Sequence, residues 1–380
     1  MPKKIPAVIM RGGTSKGVFF HSAHLPQNKA QRDQAILKVF GSPDSYGRQM
    51  NGLGGGMPQN SKTAVISPSK DPKYDVVYDF GQVSIDRPIV DTKSNCGNMS
   101  SAVGPFAVDQ GLVPAVEPVT TVRIHQKNTD KLIIAEVPVQ NGRYDDQGDY
   151  EISGIEGTGS KVTLRFNDPG GAVTGELFPT GNLTDNFIIE GIGQINVTMI
   201  DAANPVVLVA AKEIGLTGVE MDEFDTDDKI KTIIESIRCK AAVAMGITRT
   251  EEDATLTCQT VPKLAVIAPA QTYEARSGKT IQPESIHLVV RMVAMGSLHS
   301  ALAVSVAIAI SGASMIEGTI AFPMKNKIES PEGTIFLGHP AGIIDVEPVI
   351  DQTNGSPDYV EAGIGRTARC LMDGHVYIPE

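Results

Sequence analysis

Short runs of β-branched and other apolar residues, separated by glycine and proline, dominate the chain. PAVIM, VTLRF and VVLVA are typical of these runs, and 38 glycines and 24 prolines interrupt them. Such runs favour β-strands and the interruptions favour turns. Four segments have a helical pattern instead, and each ends at or shortly before a glycine: residues 28–40, 97–110, 227–245 and 297–310. The pattern therefore predicts an α+β protein with few helices.

The two halves of the chain resemble each other. SKTAVISP at residues 61–68 matches PKLAVIAP at 262–269, so that Lys62 falls on Lys263. GNMSSAV at 97–103 matches GSLHSAL at 296–302 at nearly the same offset. Two weaker matches keep the order: residues 10–20 with 200–209, and 166–171 with 336–342. Ordered repeats indicate a duplicated fold, and we predict two domains, residues 1–184 and 185–380.

Composition and charge narrow the class of protein. With 380 residues, 41% hydrophobic and 20% charged, the chain can bury the cores of two domains. A net charge of −11 disfavours nucleic acid and anionic membranes as partners. The apolar run at residues 301–310 is about half the roughly twenty residues that a membrane span requires. We expect a cytoplasmic protein, and the sequence leaves open whether it forms a homo-oligomer.

The cysteines and histidines do not have the spacing of a metal site. The four cysteines lie far apart without a CxxC pair, and the seven histidines form no HxH or HExxH motif. We therefore expect free thiols and no bound metal. The sequence also lacks the GxGxxG and GxxxxGK[ST] patterns of nucleotide-binding loops.

Cys96 has a distinctive setting, in the stretch NCGNM directly before a predicted helix. A helix N-terminus attracts anions through free N–H groups and its dipole, and it stabilises a thiolate. Cys96 is therefore the expected reactive cysteine, with Gly97 and Asn98 as ligand-binding neighbours; a small buried thiol is the alternative. By the repeat, Gly296 and Ser297 would begin the corresponding helix and face the same ligand. The position opposite Cys96 is then Met295, whose thioether cannot carry a proton.

The segment RGGTSKG, residues 11–17, combines glycines with hydroxyl groups and a lysine. Thr14, Ser15 and Lys16 could bind a carboxylate through N–H, hydroxyl and charge. A plain hairpin turn is the alternative. Lys62 follows the polar residues Asn60 and Ser61, which suit a site wall, and precedes an apolar run. The residues alone leave open whether Lys62 is a buried base or a strand-end lysine in water.

Several motifs together resemble the PrpF family of isomerases. They are RGGTSKGVFF at residues 11–20, GGGMPQNSKTAV at 54–65, NCGNMSSAVGPFAV at 95–108, LFPTG at 177–181, DAANP at 201–205 and GHPAG at 338–342. The resemblance runs nearly end to end. It implies the diaminopimelate epimerase-like fold: two similar domains, each a sheet wrapped around a central helix, with the site in the cleft between them.

The resemblance also implies a chemistry. It makes Lys62 the expected base and Cys96 its partner, without a cofactor, in an isomerase that moves a C=C bond in a small unsaturated di- or tricarboxylate. Conversion of 3-methylitaconate into 2,3-dimethylmaleate is the expected reaction. The alternatives are isomerisation of 2-methylaconitate or aconitate, tautomerisation of 4-oxalomesaconate, and a non-catalytic role beside an aconitase-like enzyme. Met295, at the position opposite Cys96 in the repeat, argues against two-thiol epimerase chemistry.

Overall fold

The computed structural model describes residues 3–93, 95–331, 333–353 and 355–378 of the chain, which is mostly β-sheet with few helices. Within these residues, no helix combines the length and apolar composition needed to cross a bilayer. The helices are α1 (Lys29–Phe40), α2 (Gly97–Asp109), α3 (Glu223–Thr226), α4 (Asp228–Ala244), α5 (Glu251–Thr257) and α6 (Val304–Met315).

The strands fall into two groups along the chain. The first group comprises β1 (Lys3–Gly12), β2 (Ser15–His21), β3 (Lys62–Pro68), β4 (Val76–Val83), β5 (Val90–Asp91), β6 (Val119–Gln126), β7 (Lys131–Gln140), β8 (Arg143–Tyr144), β9 (Tyr150–Glu151), β10 (Thr158–Gly159) and β11 (Val162–Asn167). The second comprises β12 (Asp185–Ile189), β13 (Gly193–Ala202), β14 (Asn204–Ala210), β15 (Lys263–Pro269), β16 (Tyr273–Glu274), β17 (Thr280–Ile281), β18 (Leu288–Ala294), β19 (Ser297–Leu298), β20 (Ile335–His339), β21 (Gly342–Asp351), β22 (Asp358–Arg366) and β23 (Ala368–Ile378).

The chain forms two compact units, Met1–Arg165 with Gly365–Glu380, and Phe166–Ile364. This division differs from the predicted boundary near Thr184, which assigned the whole C-terminus to the second domain. The physical reason is strand pairing: β23 runs antiparallel to β1 over the full length of β1. The last strand of the chain therefore completes the sheet of the first unit.

Both units have the same strand order. In the first unit the order is β23-β1-β2-β3-β4-β6-β7, and β2–β3 and β4–β6 are its parallel pairs. In the second it is β12-β13-β14-β15-β18-β20-β21, with parallel pairs at the same two places. The predicted duplication is confirmed, and Lys62 and Lys263 begin corresponding strands. The weak match of residues 166–171 with 336–342 is wrong, because β6, not that segment, corresponds to β20.

Each unit wraps its sheet around one buried helix. In the first unit α2 packs on β1, β2, β3, β6, β7 and β23, and Gly97 to Val108 are all buried. In the second unit α6 packs on β13, β14, β20 and β21, and Val304 to Ser314 are all buried. Helices that are buried on every side require apolar or small residues all round, which both sequences provide.

Three of the four predicted helices match the structure closely, including α4, which spans Asp228–Ala244 where 227–245 was predicted, and one does not. α1 begins after Asn28, whose side chain accepts a hydrogen bond from the Gln31 N–H, and ends at Gly41 with φ of 70°. α2 begins at Gly97 as predicted. The prediction of a helix from Ser297 is wrong, because Ser297 and Leu298 form β19, which pairs with the end of β18. The helix begins only at Val304.

The turn between β1 and β2 lies directly against the first turn of α2, which makes Gly12 a sensitive position. A Cβ at Gly12 would lie 2.5 Å from the Asn98 carbonyl oxygen. We expect Gly12→Ala to lower the free energy of unfolding by about 1–3 kcal/mol, the usual cost of overpacking a well-packed site. Urea denaturation followed by circular dichroism measures this loss.

Gly374→Ala on β23 is the matched control, because a Cβ there meets no described atom within 4 Å. Equal stability of the two variants would contradict the tight contact between the β1–β2 turn and α2.

Candidate active site

Lys62 is held at the start of β3 by groups on β4. Its backbone lies opposite Gln82 in the antiparallel β3–β4 register and opposite Gly17 in the parallel β2–β3 register. The half-buried side chain donates a hydrogen bond from Nζ to Gln82 Oε1 at 2.6 Å. Nζ also lies 5.5 Å from the centroid of the Phe80 ring. The amine is therefore placed by a neutral amide and an aromatic face.

The turn that leads into Lys62 is fixed by buried hydrogen bonds. Gln82 Nε2 donates to the carbonyl oxygens of Pro58 and Ser61 at 3.0 and 2.8 Å. Ser61 Oγ donates to the Val83 carbonyl at 3.0 Å and accepts from Gln49 Nε2 at 2.8 Å. Ser61 and Gln49 are fully buried. Ser61 thus supports the turn from within, while Asn60 beside it is half-buried.

Cys96 is the N-cap residue of α2 and is half-buried. Its carbonyl accepts the first helical hydrogen bond from the Ser100 N–H at 3.0 Å, and its Sγ lies 4.0 Å from Ser15 Oγ. The Cys96 side chain itself makes no capping hydrogen bond. The thiol therefore lies where the N–H groups of the first turn favour negative charge.

Tyr78 lies on the same face of β4 as Phe80 and Gln82, because residues two apart share a face of a strand. It is completely buried, and burial raises the pKa of Tyr78 well above its usual value. A negative charge on Cys96 raises that pKa further. On one face of β4, Tyr78 thus interacts electrostatically with Cys96, and Gln82 is hydrogen-bonded to Lys62.

The loop at Gly12 and Gly13 is joined to α2 by Asn98. Asn98 Nδ2 donates to Thr14 Oγ1 at 3.1 Å, and Asn98 Oδ1 accepts from the Thr14 N–H at 3.4 Å. Gly13 has φ of 52°, a left-handed conformation that favours glycine. The Asn98 side chain, in the first turn of α2, is therefore hydrogen-bonded to the loop.

The loop lies beside both candidate catalytic residues, Cys96 and Lys62. Ser15 approaches Cys96, and Gly17, two residues further along β2, lies opposite Lys62. Two residues along a strand span about 7 Å. Lys16 is half-buried and alternates to the other face of β2, so Ser15 is the loop side chain that approaches the thiol. Binding of substrate by Thr14, Ser15, Lys16, Asn60, Ser61, Gly97 and Asn98 stays a prediction.

The predicted contribution of the second unit needs correction. Gly296 lies in the turn between β18 and β19 with φ of 78°, and Ser297 begins β19, so neither begins a helix. The N-cap residue of α6, which corresponds to Cys96, is Ala303 and not Met295. The methyl group of alanine cannot carry a proton, so this unit still lacks a thiol at the position of Cys96. Participation of Gly296 and Ser297 in the site stays a prediction.

Three further basic side chains, those of Arg366, Arg369 and His299, lie in different settings. Arg366 is buried and donates from Nη1 to the Gly365 carbonyl at 2.8 Å, whereas Arg369 is exposed. Nδ1 of His299 accepts from the Ala301 N–H at 3.1 Å. None of these contacts places the three side chains beside Lys62 or Cys96.

The sequence prediction missed Gln82, Gln49 and Tyr78. The strand VVYDFGQV carries a signal for Gln82, since alternate positions Tyr78 and Phe80 are buried and place Gln82 on the same inward face. A polar residue at an inward position must find partners, and Gln82 finds Lys62. Gln49 has no comparable signal because it lies in an irregular loop.

Relatives with known activity are similar over nearly the full length. The chain is 40% identical to the 3-methylitaconate isomerase of Eubacterium barkeri, covering 99% of this chain and 97% of the relative. It is also 40% identical to the 2-methyl-aconitate isomerase of Shewanella oneidensis, again covering 99% and 97%.

Solved structures agree with this relationship. A crystal structure of methylitaconate-delta-isomerase matches with a TM-score of 0.81 at 40% identity, covering 99% of this chain and 96% of that one. A hydroxyproline epimerase from Agrobacterium vitis matches with a TM-score of 0.56 at 13% identity, covering 100% and 95%, and shows the fold alone. The protein is therefore an isomerase with the duplicated epimerase-like fold. The family model described as PrpF protein matches residues 2–379, and the chain belongs to that family.

The position of Cys96 predicts how the thiols react. Burial raises the pKa of the Cys370 thiol, and the charges of Asp373 and Asp109 raise it further, although Cys370 is exposed. Cys96 lies at a helix N-terminus, where the backbone N–H groups of the first turn attract negative charge. We expect iodoacetamide near neutral pH to modify Cys96 faster than Cys370, measured by peptide mass mapping over time. Cys96→Ser and Cys370→Ser assign the two rates, and faster labelling of Cys370 would refute the role of the helix terminus.

Proposed function

We propose that this protein moves a C=C bond in a small unsaturated di- or tricarboxylate, and that it converts 3-methylitaconate into 2,3-dimethylmaleate. The observation that carries the proposal is that one glycine-rich loop lies beside the backbone of Lys62, at Gly17, and beside the thiol of Cys96, at Ser15. The names of the relatives support the substrate class. These two groups can exchange protons with carbon.

The proposed reaction is a proton shift in which every atom is conserved. A base removes the proton from C3 of 3-methylitaconate, which lies between a carboxylate and the alkene. The electron pair forms the new C2–C3 double bond, and the old bond to the methylene carbon opens. A proton added to that methylene carbon makes it a methyl group, which gives 2,3-dimethylmaleate.

In this proposal Lys62 is the base and Cys96 is the acid or a supporting donor. The intermediate is a dienolate, whose negative charge the N–H groups at the start of α2 would stabilise. The substrate carboxylate and alkene themselves accept the electrons, so the proposed mechanism needs no metal or organic cofactor. Thr14 and Ser15 on the loop would bind a carboxylate.

A second substrate has support of the same kind. The 2-methyl-aconitate isomerase of Shewanella oneidensis is as similar, at 40% identity, as the 3-methylitaconate isomerase. Isomerisation of 2-methylaconitate involves the same proton shift with one more carboxylate. We propose the cytoplasm as the compartment, and a homo-oligomer is compatible with the proposal.

A panel of 3-methylitaconate, 2-methylaconitate, aconitate and 4-oxalomesaconate tests the substrate. We expect turnover of 3-methylitaconate with the highest kcat/KM, followed by the change in ultraviolet absorbance and confirmed by proton NMR of the product. A higher kcat/KM for 2-methylaconitate would reassign the substrate. No turnover of any compound by the purified protein would favour a non-catalytic role.

Two substitutions test the assigned roles. Lys62→Ala removes the proposed proton acceptor, and we expect kcat to fall by about 10²–10⁴-fold, as is typical when a general base is lost. Cys96→Ser should lose less, because a hydroxyl still donates a hydrogen bond although it is a weaker acid. Both are compared with the wild-type protein near neutral pH, after circular dichroism has confirmed folding. A fully active Lys62→Ala would remove lysine from the mechanism, and complete loss in both would indicate a two-residue proton relay.

A further inference from the structure

Gln82 is the side chain that most directly restrains Lys62. It lies opposite Lys62 in the β3–β4 register, and its own side chain is only 6% exposed. Its Oε1 accepts from Lys62 Nζ at 2.6 Å. Within the described part of the chain, the side-chain interactions of Lys62 are this hydrogen bond and the contact with the Phe80 ring.

The orientation of the Gln82 amide is determined by the protein. Its nitrogen faces the carbonyl oxygens of Pro58 and Ser61, at 3.0 and 2.8 Å, and a carbonyl can only accept a hydrogen bond. The amide oxygen must therefore point towards Lys62. A flipped amide would place its oxygen against two carbonyl oxygens and its NH₂ against the amine.

This orientation has a consequence for a lysine that acts as a base. The neutral amine has two N–H bonds and one lone pair, and it can give one N–H to Gln82 Oε1. The lone pair cannot point towards the amide oxygen of Gln82 or the negative face of the Phe80 ring, so it is turned away from these two groups of β4. Because the acceptor is an uncharged amide, it orients the nitrogen without the strong preference for the ammonium form that a carboxylate would impose.

We propose that Gln82 is a positioning residue for catalysis: it directs the lone pair of Lys62 towards the substrate while leaving the amine free to become neutral. This inference rests on the proposed function of Lys62 as the base. Loss of the amide should therefore reduce the rate of proton transfer more than it weakens substrate binding.

Gln82→Met tests this role by removing the acceptor while keeping a side chain of similar length. We expect kcat to fall by about 10- to 100-fold, as misplaced catalytic groups do, with little change in KM. The control is Gln126→Met, since Gln126 is also fully buried in the first unit but bonds to Asn128 and Thr129. Wild-type kcat in Gln82→Met, an effect on KM alone, or an equal loss in Gln126→Met would overturn the proposal.

Gln82→Glu gives a readout that a merely structural role would not produce. A carboxylate beside Lys62 favours the ammonium form, so the base becomes available only at higher pH. We expect the acid limb of the pH–kcat profile to move to higher pH, and Gln126→Glu to leave it in place. An unchanged profile in Gln82→Glu would contradict the contact.

A measurement without substrate separates this proposal from the proposed function. Reductive methylation with ¹³C-formaldehyde labels the lysines, and the Lys62 signal is the one missing in Lys62→Ala. Its titration midpoint, followed by NMR, should move upwards in Gln82→Glu and stay unchanged in Gln126→Glu. An unmoved midpoint would overturn the positioning role whatever the substrate is. A moved midpoint in a protein that turns over no unsaturated carboxylate would refute the proposed function while supporting the contact.

Discussion

The close contact between the β1–β2 turn and the first turn of α2 is the constraint on which the candidate site depends. α2 is buried on every side, and the loop comes closest to its first turn at glycines, where the backbone carries no side chain. A Cβ at Gly12 would lie 2.5 Å from the Asn98 carbonyl oxygen, and a Cβ at Gly17 would lie 2.4 Å from the Lys62 carbonyl oxygen. These glycines let one loop contact both the helix that carries Cys96 and the strand that carries Lys62.

Strand register is the second constraint, because it decides what Lys62 meets. In the observed β3–β4 pairing, Gln82 lies opposite Lys62, and Phe80 and Tyr78 follow on the same face. A slip of one residue would turn all three to the other face of the sheet. The hydrogen bonds of Gln82 to Pro58 and Ser61 connect that register to the preceding turn. The same amide therefore stabilises the turn and orients the amine.

The two units keep one scaffold but differ in chemistry. Both contain the same order of seven paired strands around one buried helix. In the first unit the edge strand is β23, which comes from the C-terminus of the chain and pairs with β1. In the second unit the corresponding strand is β12, which directly precedes its partner β13 in the sequence. At the helix start, however, Cys96 in one unit corresponds to Ala303 in the other. A duplicated fold with a thiol at only one of the two corresponding helix starts suits a reaction in which two different groups exchange protons, whereas two-thiol epimerisation requires a thiol at both.

Local signals in the sequence determined much of this protein. Asn28 and Gly41 mark the ends of α1, Gly97 marks the start of α2, and the repeated SKTAVISP and PKLAVIAP runs predicted corresponding strands. Tertiary structure alone decided the start of α6, the place of β23 and the partner of Lys62. α6 begins after Ala303, whose side chain offers no cap, so its first residue is set by the pairing of β19 with β18. β23 pairs with a strand at the other end of the chain, and Gln82 meets Lys62 through the register of two consecutive strands; capping residues and hydrophobic period encode neither.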